Sequence, residues 1–193
     1  MAYGRSCFRV GLVPMLTLLA VCFLSASQMD HAVDLDGRLA NPLAGDSGKV
    51  VVLVFVRRDC PVSSRYAPVI QAISKKYSGT ANFWLVFPDK VESPAAIRQY
   101  LQDYGYRLPA LRDPAHELVR ASGVQITPEV AVFNRKHRLV YDGRIGDWYV
   151  DLGRSRAAAT THELEEAIRA AADGNPVARS EVRGVGCYIS DLQ

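Results

Sequence analysis

The sequence predicts an α/β protein in which helices flank a central mixed β-sheet. Residues 49–56 (KVVVLVFV) and 82–87 (NFWLVF) are continuous runs of β-branched and aromatic residues, typical of strands buried on both faces. Each run is followed by a segment with helical spacing. Residues 129–134 and 138–142 then form two more strands before a last helix, so the order of elements combines parallel and antiparallel neighbours.

Helix signals follow the two long strands. Residues 61–77 carry apolar side chains at helical spacing, and Gly79 ends that helix. A second helix runs to about residue 104, because Ser93 is a favourable cap and Pro94 suits the first helical turn. These helices separate the strands by the distances that an α/β sheet requires.

The remaining elements are shorter. Residues 34–37 predict a short strand and turn, and residues 115–121 predict a short helix. Residues 135–137 join the last two strands as a hairpin-like connection. Thr161 provides a cap for the final helix, which ends near Gly174.

The N-terminal segment has the pattern of an export signal. Arg5 and Arg9 precede an apolar stretch over 10–26, and the small residues of 25–27 offer a cleavage site. This order predicts a signal peptide over residues 1–28. The alternative is an uncleaved N-terminal anchor, since a bilayer span needs roughly 20 apolar residues. Both readings predict an exported protein, periplasmic or otherwise extracytoplasmic, that contacts a membrane only through this segment.

Charge excludes one class of partner. Without the leader the net charge falls from +3 to about +1, with no basic cluster, so nucleic acid is not an expected partner.

The predicted elements divide the exported chain into a folded domain over 29–174 and a C-terminal tail over 175–193.

Cysteine usage directs attention to two residues. Cys7 and Cys22 lie in the leader, whereas Cys60 and Cys187 remain as an even pair in an oxidising compartment. Three histidines share no ligand spacing and are expected at the surface: His116, His137 and His162. Neither a metal site nor a cofactor is predicted.

Cys60 stands where a buried strand gives way to a helix. The free amide groups at the helix N-terminus favour the thiolate, and Arg57 and Arg58 add positive charge. Pro61 fits the first turn, which needs no amide hydrogen. We expect a pKa for Cys60 below the roughly 8.5 of a free thiol, and hence a nucleophile for disulfide exchange. The alternative is a cysteine that only fills the core.

Four segments carry a family resemblance: VVVLVFVRRDCPVSSRYAP, LPALRDP, GVQITPEVAVFN and RLVYDGRIGDWY. Together they resemble the redoxin branch of the thioredoxin superfamily, which includes the alkyl hydroperoxide reductase and thiol-specific antioxidant group. The resemblance implies a thioredoxin-like fold in which a cis-proline loop at Thr127 and Pro128 faces Cys60. It also implies that a thiol or disulfide substrate contacts Pro61, Ser63, Pro128 and the Thr127 backbone. An ordinary trans turn is the alternative for this loop.

The sequence departs from each subfamily pattern. Thioredoxins have a second cysteine where this chain has Ser63, and copper-delivery relatives have one where it has Ser64. Peroxiredoxins carry a threonine in place of Arg57 and an arginine near the position of Glu129. Without such donors, stabilising the transition state of peroxide cleavage is harder.

Three functions therefore stay open. The first is thiol–disulfide exchange with a protein or small-molecule partner, through a mixed disulfide. The second is a thiol peroxidase, in which the cysteine passes through a sulfenic acid. The third is a redox-silent thioredoxin-fold module for binding or metal delivery. The sequence names neither the redox partner nor the direction of electron flow.

The tail supplies the only other cysteine of the exported chain. Gly184 and Gly186 predict an extended segment, long enough to return across the domain. We expect it to fold back so that Cys187 resolves Cys60 or shares a ligand with it; the alternative is a disordered end. Asp113 and Glu129 are weaker candidates for proton transfer, with a solvated acid or a helix cap as the alternative reading of each.

Overall fold

The computed structural model describes Met1 and residues 32–44, 48–178 and 181–190. The predicted signal peptide over 1–28 lies outside these residues, apart from Met1. Within the described segments, none of the helices is both long enough and apolar enough to span a bilayer.

The described segments contain four helices and eleven strands. The helices are Pro61–Lys76 (α1), Pro94–Asp103 (α2), Glu117–Ser122 (α3) and Glu163–Asp173 (α4). The strands are Val33–Asp34 (β1), Val50–Phe55 (β2), Ala81–Phe87 (β3), Ala110–Arg112 (β4), Ile126–Thr127 (β5), Glu129–Phe133 (β6), Leu139–Gly143 (β7), Tyr149–Asp151 (β8), Arg154–Ser155 (β9), Glu181–Val182 (β10) and Cys187–Tyr188 (β11).

Seven strands form one mixed sheet in the order β1-β4-β3-β2-β6-β7-β10. Strands β2, β3 and β4 run parallel, whereas β6 is antiparallel to both β2 and β7. The prediction of an α/β fold with a mixed sheet and flanking helices is confirmed. Two pairs lie outside this sheet, β11 with β5 and β8 with β9.

Strand β2 is buried on both faces, as its unbroken apolar run predicts. Because side chains alternate along a strand, Val52 and Val54 pack with α1, α2 and α4 on one face. Leu53 and Phe55 pack on the other face, against α3 and against Ile189 of the tail. The scaffold around Cys60 is thus fixed by core packing on two sides.

Two local expectations were wrong, and one strand of the main sheet was missed. His116 is buried, with its Nε2 at 2.7 Å from the Pro88 carbonyl oxygen, because a left-handed backbone at this residue turns the ring inward ahead of α3. His162, not Thr161, is the cap residue of α4, and the Thr161 hydroxyl donates to the Glu163 carboxylate instead. Strand β4 was not predicted, since its three residues are too few to show a period.

The C-terminal segment is extended and folds back over the domain. Strand β10 lies parallel to β7 at the sheet edge, and the β7 end comes so close that a side chain at Gly143 would meet the Val182 carbonyl oxygen at 2.1 Å. Strand β11 then crosses to β5. The prediction that the tail returns to the domain is confirmed for the residues that the structure describes.

Candidate active site

Cys60 lies at the junction of β2 and α1, as the N-cap residue with extended backbone angles. Pro61 occupies the first turn of α1 and is exposed, whereas Cys60 is fully buried. Ser63 is also fully buried, and its hydroxyl accepts from the Arg57 amide at 3.4 Å. The Cys60 side chain itself makes no cap hydrogen bond at this helix N-terminus.

The loop opposite Cys60 carries a cis peptide bond between Thr127 and Pro128. The Cys60 Sγ lies 3.1 Å from the Thr127 carbonyl oxygen, to which the neutral thiol donates. Thr127 is fully buried at the end of β5. The predicted cis-proline loop facing Cys60 is confirmed by this geometry.

Strand β11 brings Cys187 to the same place. Cys187 lies directly opposite Thr127 in the antiparallel pair with β5, and the Thr127 hydroxyl donates to the Cys187 carbonyl oxygen at 3.4 Å. A side chain at Gly186 would meet the Thr127 carbonyl oxygen at 2.0 Å, so only glycine allows the tail to approach this closely. Both cysteines are free thiols.

The two thiols have opposed acidities. Burial opposes ionisation of Cys60, but hydrogen bonds from Cys187, Ser63 and Thr127 together outweigh it, so the pKa of Cys60 lies below its ordinary value. Burial and the hydrogen bond to Cys60 raise the pKa of Cys187 to about 12. Cys60 is therefore the more acidic thiol of the pair, and Cys187 is placed to donate a hydrogen bond to its thiolate.

Glu129 holds the tail on one side of Cys187. Its carboxylate is fully buried and accepts from the amide of Gly184 at 3.0 Å and from that of Gln125 at 3.1 Å. Arg183 of the tail pairs with the same carboxylate at 3.7 Å. Glu129 thus joins the cis-proline loop to the incoming tail.

Arg57 holds the tail on the other side. Its guanidinium donates to the Tyr188 carbonyl oxygen at 3.1 Å and pairs with Asp59 at 2.8 Å and with Asp89 at 3.4 Å. Its side chain is 16% exposed. The neighbouring Arg58 instead pairs with Glu92 at 2.7 Å, with its own side chain 49% exposed. The two arginines that the sequence places beside Cys60 therefore have different contacts.

Other candidates lie apart from the thiols. Asp113 is fully buried and accepts from the amides of Glu117 and Val119, so it is the helix cap of α3; burial raises its pKa. Among the residues described, no group of three or more histidine, cysteine or acidic side chains is arranged to bind a metal ion.

The sequence did not predict that Arg57 and Glu129 contact the tail. Its one relevant signal was a charged residue close to each half of the predicted site, which indicates a polar contact but not its partner.

A cysteine at a strand–helix junction that faces a cis-proline, on a sheet of this topology, defines a thioredoxin-like protein. The Redoxin family model matches residues 26–147, which is more than half of the chain. The chain belongs to the Redoxin family. No curated protein matches it.

Solved structures support the same fold. A hypothetical protein from Sinorhizobium meliloti 1021 superposes with a TM-score of 0.69 at 22% identity, covering 83% of this chain and 90% of that one. A secreted disulfide oxidoreductase of Mycobacterium tuberculosis, homologous to DsbE of Escherichia coli, gives 0.54 at 17% identity, with coverages of 74% and 96%. DsbF of M. tuberculosis gives 0.54 at 21% identity, with the same coverages.

Proposed function

We propose that this protein is an exported thiol–disulfide oxidoreductase, with Cys60 as the attacking thiolate and Cys187 as the resolving thiol. The observation that carries the proposal is the pairing of β11 with β5, which sets Cys187 opposite Thr127 while Cys60 contacts the same residue. Ser63 leaves no thiol in the first turn of α1. The second thiol therefore comes from the tail.

The exchange has two steps. The Cys60 thiolate attacks one sulfur of a substrate disulfide, forming a mixed disulfide and expelling the first substrate thiolate. Cys187 then loses its proton to solvent or to the departing thiolate and attacks the Cys60 sulfur. A disulfide between Cys60 and Cys187 forms, and the second substrate thiolate leaves. The substrate gains two electrons, and the protein is oxidised by two; the reverse sequence oxidises a substrate dithiol.

The position of the tail determines which of the two steps can take place. Cys60 is fully buried, and β11 covers the Thr127 edge beside it. A substrate reaches Cys60 only when the tail moves aside, and Cys187 attacks when the tail returns. An extended peptide or a small disulfide fits the vacated edge, because a strand edge offers free backbone groups.

Export fits this chemistry. The basic, apolar and small-residue order of the leader is the signal that directs a chain out of the cytoplasm. Disulfides persist in the oxidising compartments outside it. The secreted M. tuberculosis disulfide oxidoreductase shares the fold. We accordingly propose a periplasmic or equivalent extracytoplasmic location, with a protein or small-molecule thiol or disulfide as the partner.

A chromogenic aromatic disulfide tests the mechanism, using the full-length chain with Cys7→Ser and Cys22→Ser. Attack by Cys60 releases one coloured thiolate per protein, and resolution by Cys187 releases a second. We expect two equivalents of coloured thiolate from this parent protein and one from the Cys187→Ser variant. At a pH well below the pKa of Cys187, we expect none from the Cys60→Ser variant.

Two outcomes would reject the proposal. A second equivalent released as fast by Cys187→Ser as by the parent would exclude Cys187 from resolution. Turnover of hydrogen peroxide at least as fast as that of the disulfide would favour the peroxidase reading instead. Arg57 replaces the peroxiredoxin threonine, Glu129 stands near the place of the peroxiredoxin arginine, and both contact the tail, so we expect slow peroxide turnover.

A further inference from the structure

The residues that flank Cys187 in the tail are held by two charged side chains from different parts of the domain. Glu129 accepts from the Gly184 amide, three residues before Cys187. Arg57 donates to the Tyr188 carbonyl oxygen, one residue after it. Both contacts are to backbone groups, so they depend on where the tail lies and not on its side chains.

Each of the two side chains is itself fixed. Asp59 and Asp89 pair with the Arg57 guanidinium and aim it along the end of β2 toward the tail. The Glu129 carboxylate receives amides of its own loop, from Gln125 and Ile126. A preorganised donor and a preorganised acceptor lose little entropy when the tail docks between them.

We propose that Arg57 and Glu129 are positioning residues that set the effective concentration of Cys187 at Cys60. This inference rests on the proposed function and deepens it by assigning the control of the resolving step. Charge-assisted hydrogen bonds are roughly twice as strong as neutral ones, so the two contacts favour the docked tail strongly. The same contacts keep Cys60 covered, and so they slow its reaction with an external disulfide.

Opposite effects on the two steps follow for Arg57→Gln. Loss of one charge-assisted hydrogen bond is expected to slow release of the second coloured thiolate about tenfold or more. Release of the first thiolate is expected to stay equal or become faster, because a looser tail uncovers Cys60. Arg98→Gln is the matched control, since Arg98 likewise donates to a backbone carbonyl oxygen, that of Leu35, and pairs with a carboxylate, that of Asp36, away from the tail; both of its steps should match the parent.

Two further measurements keep the result interpretable. Arg57→Lys retains the charge and the N–H donors of a single nitrogen but loses the planar guanidinium fork, and should recover part of the second-step rate. The equilibrium constant against glutathione for forming the Cys60–Cys187 disulfide should fall in Arg57→Gln by the same factor as the rate, or less. A general loss of folding would lower the unfolding midpoint and slow both steps together, and that pattern would overturn the inference.

Glu129 gives an independent arm. Glu129→Gln keeps one carbonyl acceptor but loses the charge, and should slow the second step without slowing the first. Should this variant fail to fold, Arg57→Gln decides alone. If Arg57→Gln releases both thiolates as the parent does, the inference fails, whereas the proposed function fails only if Cys187→Ser still releases the second.

Discussion

The two cysteines of the site are carried by regions built in opposite ways. Cys60 follows β2 along the chain and caps α1. All six residues of β2 are buried, and the strand pairs with β3 on one side and β6 on the other. Cys187 lies in a strand of two residues that pairs on one side with another strand of two. Burial on both faces fixes the first region, whereas a few hydrogen bonds and the packing of Ile189 fix the second.

Because of this difference, we expect the two regions to differ in the free energy of local opening. Segments with few buried contacts open at lower free energy than core strands, and moving elements are drawn from such segments. In the proposed mechanism, Cys60 is therefore held by the core, while Cys187 lies on a segment of lower local stability that can open for a substrate. A disulfide exchange that needs room for a substrate benefits from that asymmetry.

The same comparison explains two departures from the peroxiredoxin pattern. Arg57 replaces a threonine and Glu129 stands near the place of an arginine, so neither donor expected for peroxide is present. In the structure both side chains contact the tail backbone. Both positions at which the sequence departs from the peroxiredoxin pattern thus contact the tail that carries Cys187.

The largest effect is expected in the scaffold. Leu53→Ala removes a fully buried side chain from β2 and should lower the free energy of unfolding by about 2–5 kcal/mol. Denaturant unfolding of the reduced protein measures the change. A loss well under 1 kcal/mol would show that β2 is not the rigid half of the comparison.

Sequence patterns identified the scaffold because its signals are local. The β-branched run of β2 and the proline at the start of α1 each report their own conformation, whereas the cis bond at Thr127–Pro128 was implied only by the family resemblance. The site residues Cys60 and Thr127 could be paired in advance only through the family resemblance, since their contact joins distant parts of the chain.

The tail contacts could not be predicted in the same way. Glycines indicate an extended segment, but its partner strand is set by tertiary contacts, and two-residue strands such as β11 show no period. The buried position of His116 likewise depends on a left-handed backbone that the sequence around it does not signal. Both features arise from packing between distant segments.

The second-largest effect is expected for Gly186→Ala. The added methyl group would meet the Thr127 carbonyl oxygen at 2.0 Å, so the tail must leave β5. Release of the second coloured thiolate should slow by more than tenfold, with a smaller loss of unfolding free energy than in Leu53→Ala. Gly79→Ala, where a methyl group meets no atom within 4 Å, is the matched control. An unchanged second step in Gly186→Ala would contradict the docked geometry.

The pH dependence sharpens the comparison between the thiols. Because the pKa of Cys60 is lowered, its alkylation rate should reach half of its maximum below about pH 8.5, the value for a free thiol. Cys187, with its pKa raised to about 12, should lag behind. Mass spectrometry of the labelled peptides measures both rates.

Substitution of Cys187 tests the cause of this shift. Cys187→Ala removes the hydrogen bond to the Cys60 thiolate and should raise the pKa of Cys60, whereas Cys187→Ser keeps a donor and should raise it less. Because the folded-state pKa of Cys187 is raised, its contribution to tail docking is fully present below the unfolded value and is lost as the pH rises toward about 12. Equal pKa values for Cys60 in all three proteins would contradict this coupling.

The smallest effect is expected for Arg183→Gln in the tail. The Arg183 guanidinium is 40% exposed and pairs with Glu181 at 2.7 Å, while its distance to Glu129 is 3.7 Å. Exposed ion pairs contribute up to about 1 kcal/mol and are screened by salt, so the second step should slow only a few-fold, and less at high ionic strength. Lys76→Gln, which breaks an exposed pair with Glu165 on the scaffold, should leave both steps unchanged. A large effect of Arg183→Gln that persists in high salt would mean that the ion pair between Arg183 and Glu129, and not the hydrogen bond from Arg57, mainly holds the tail.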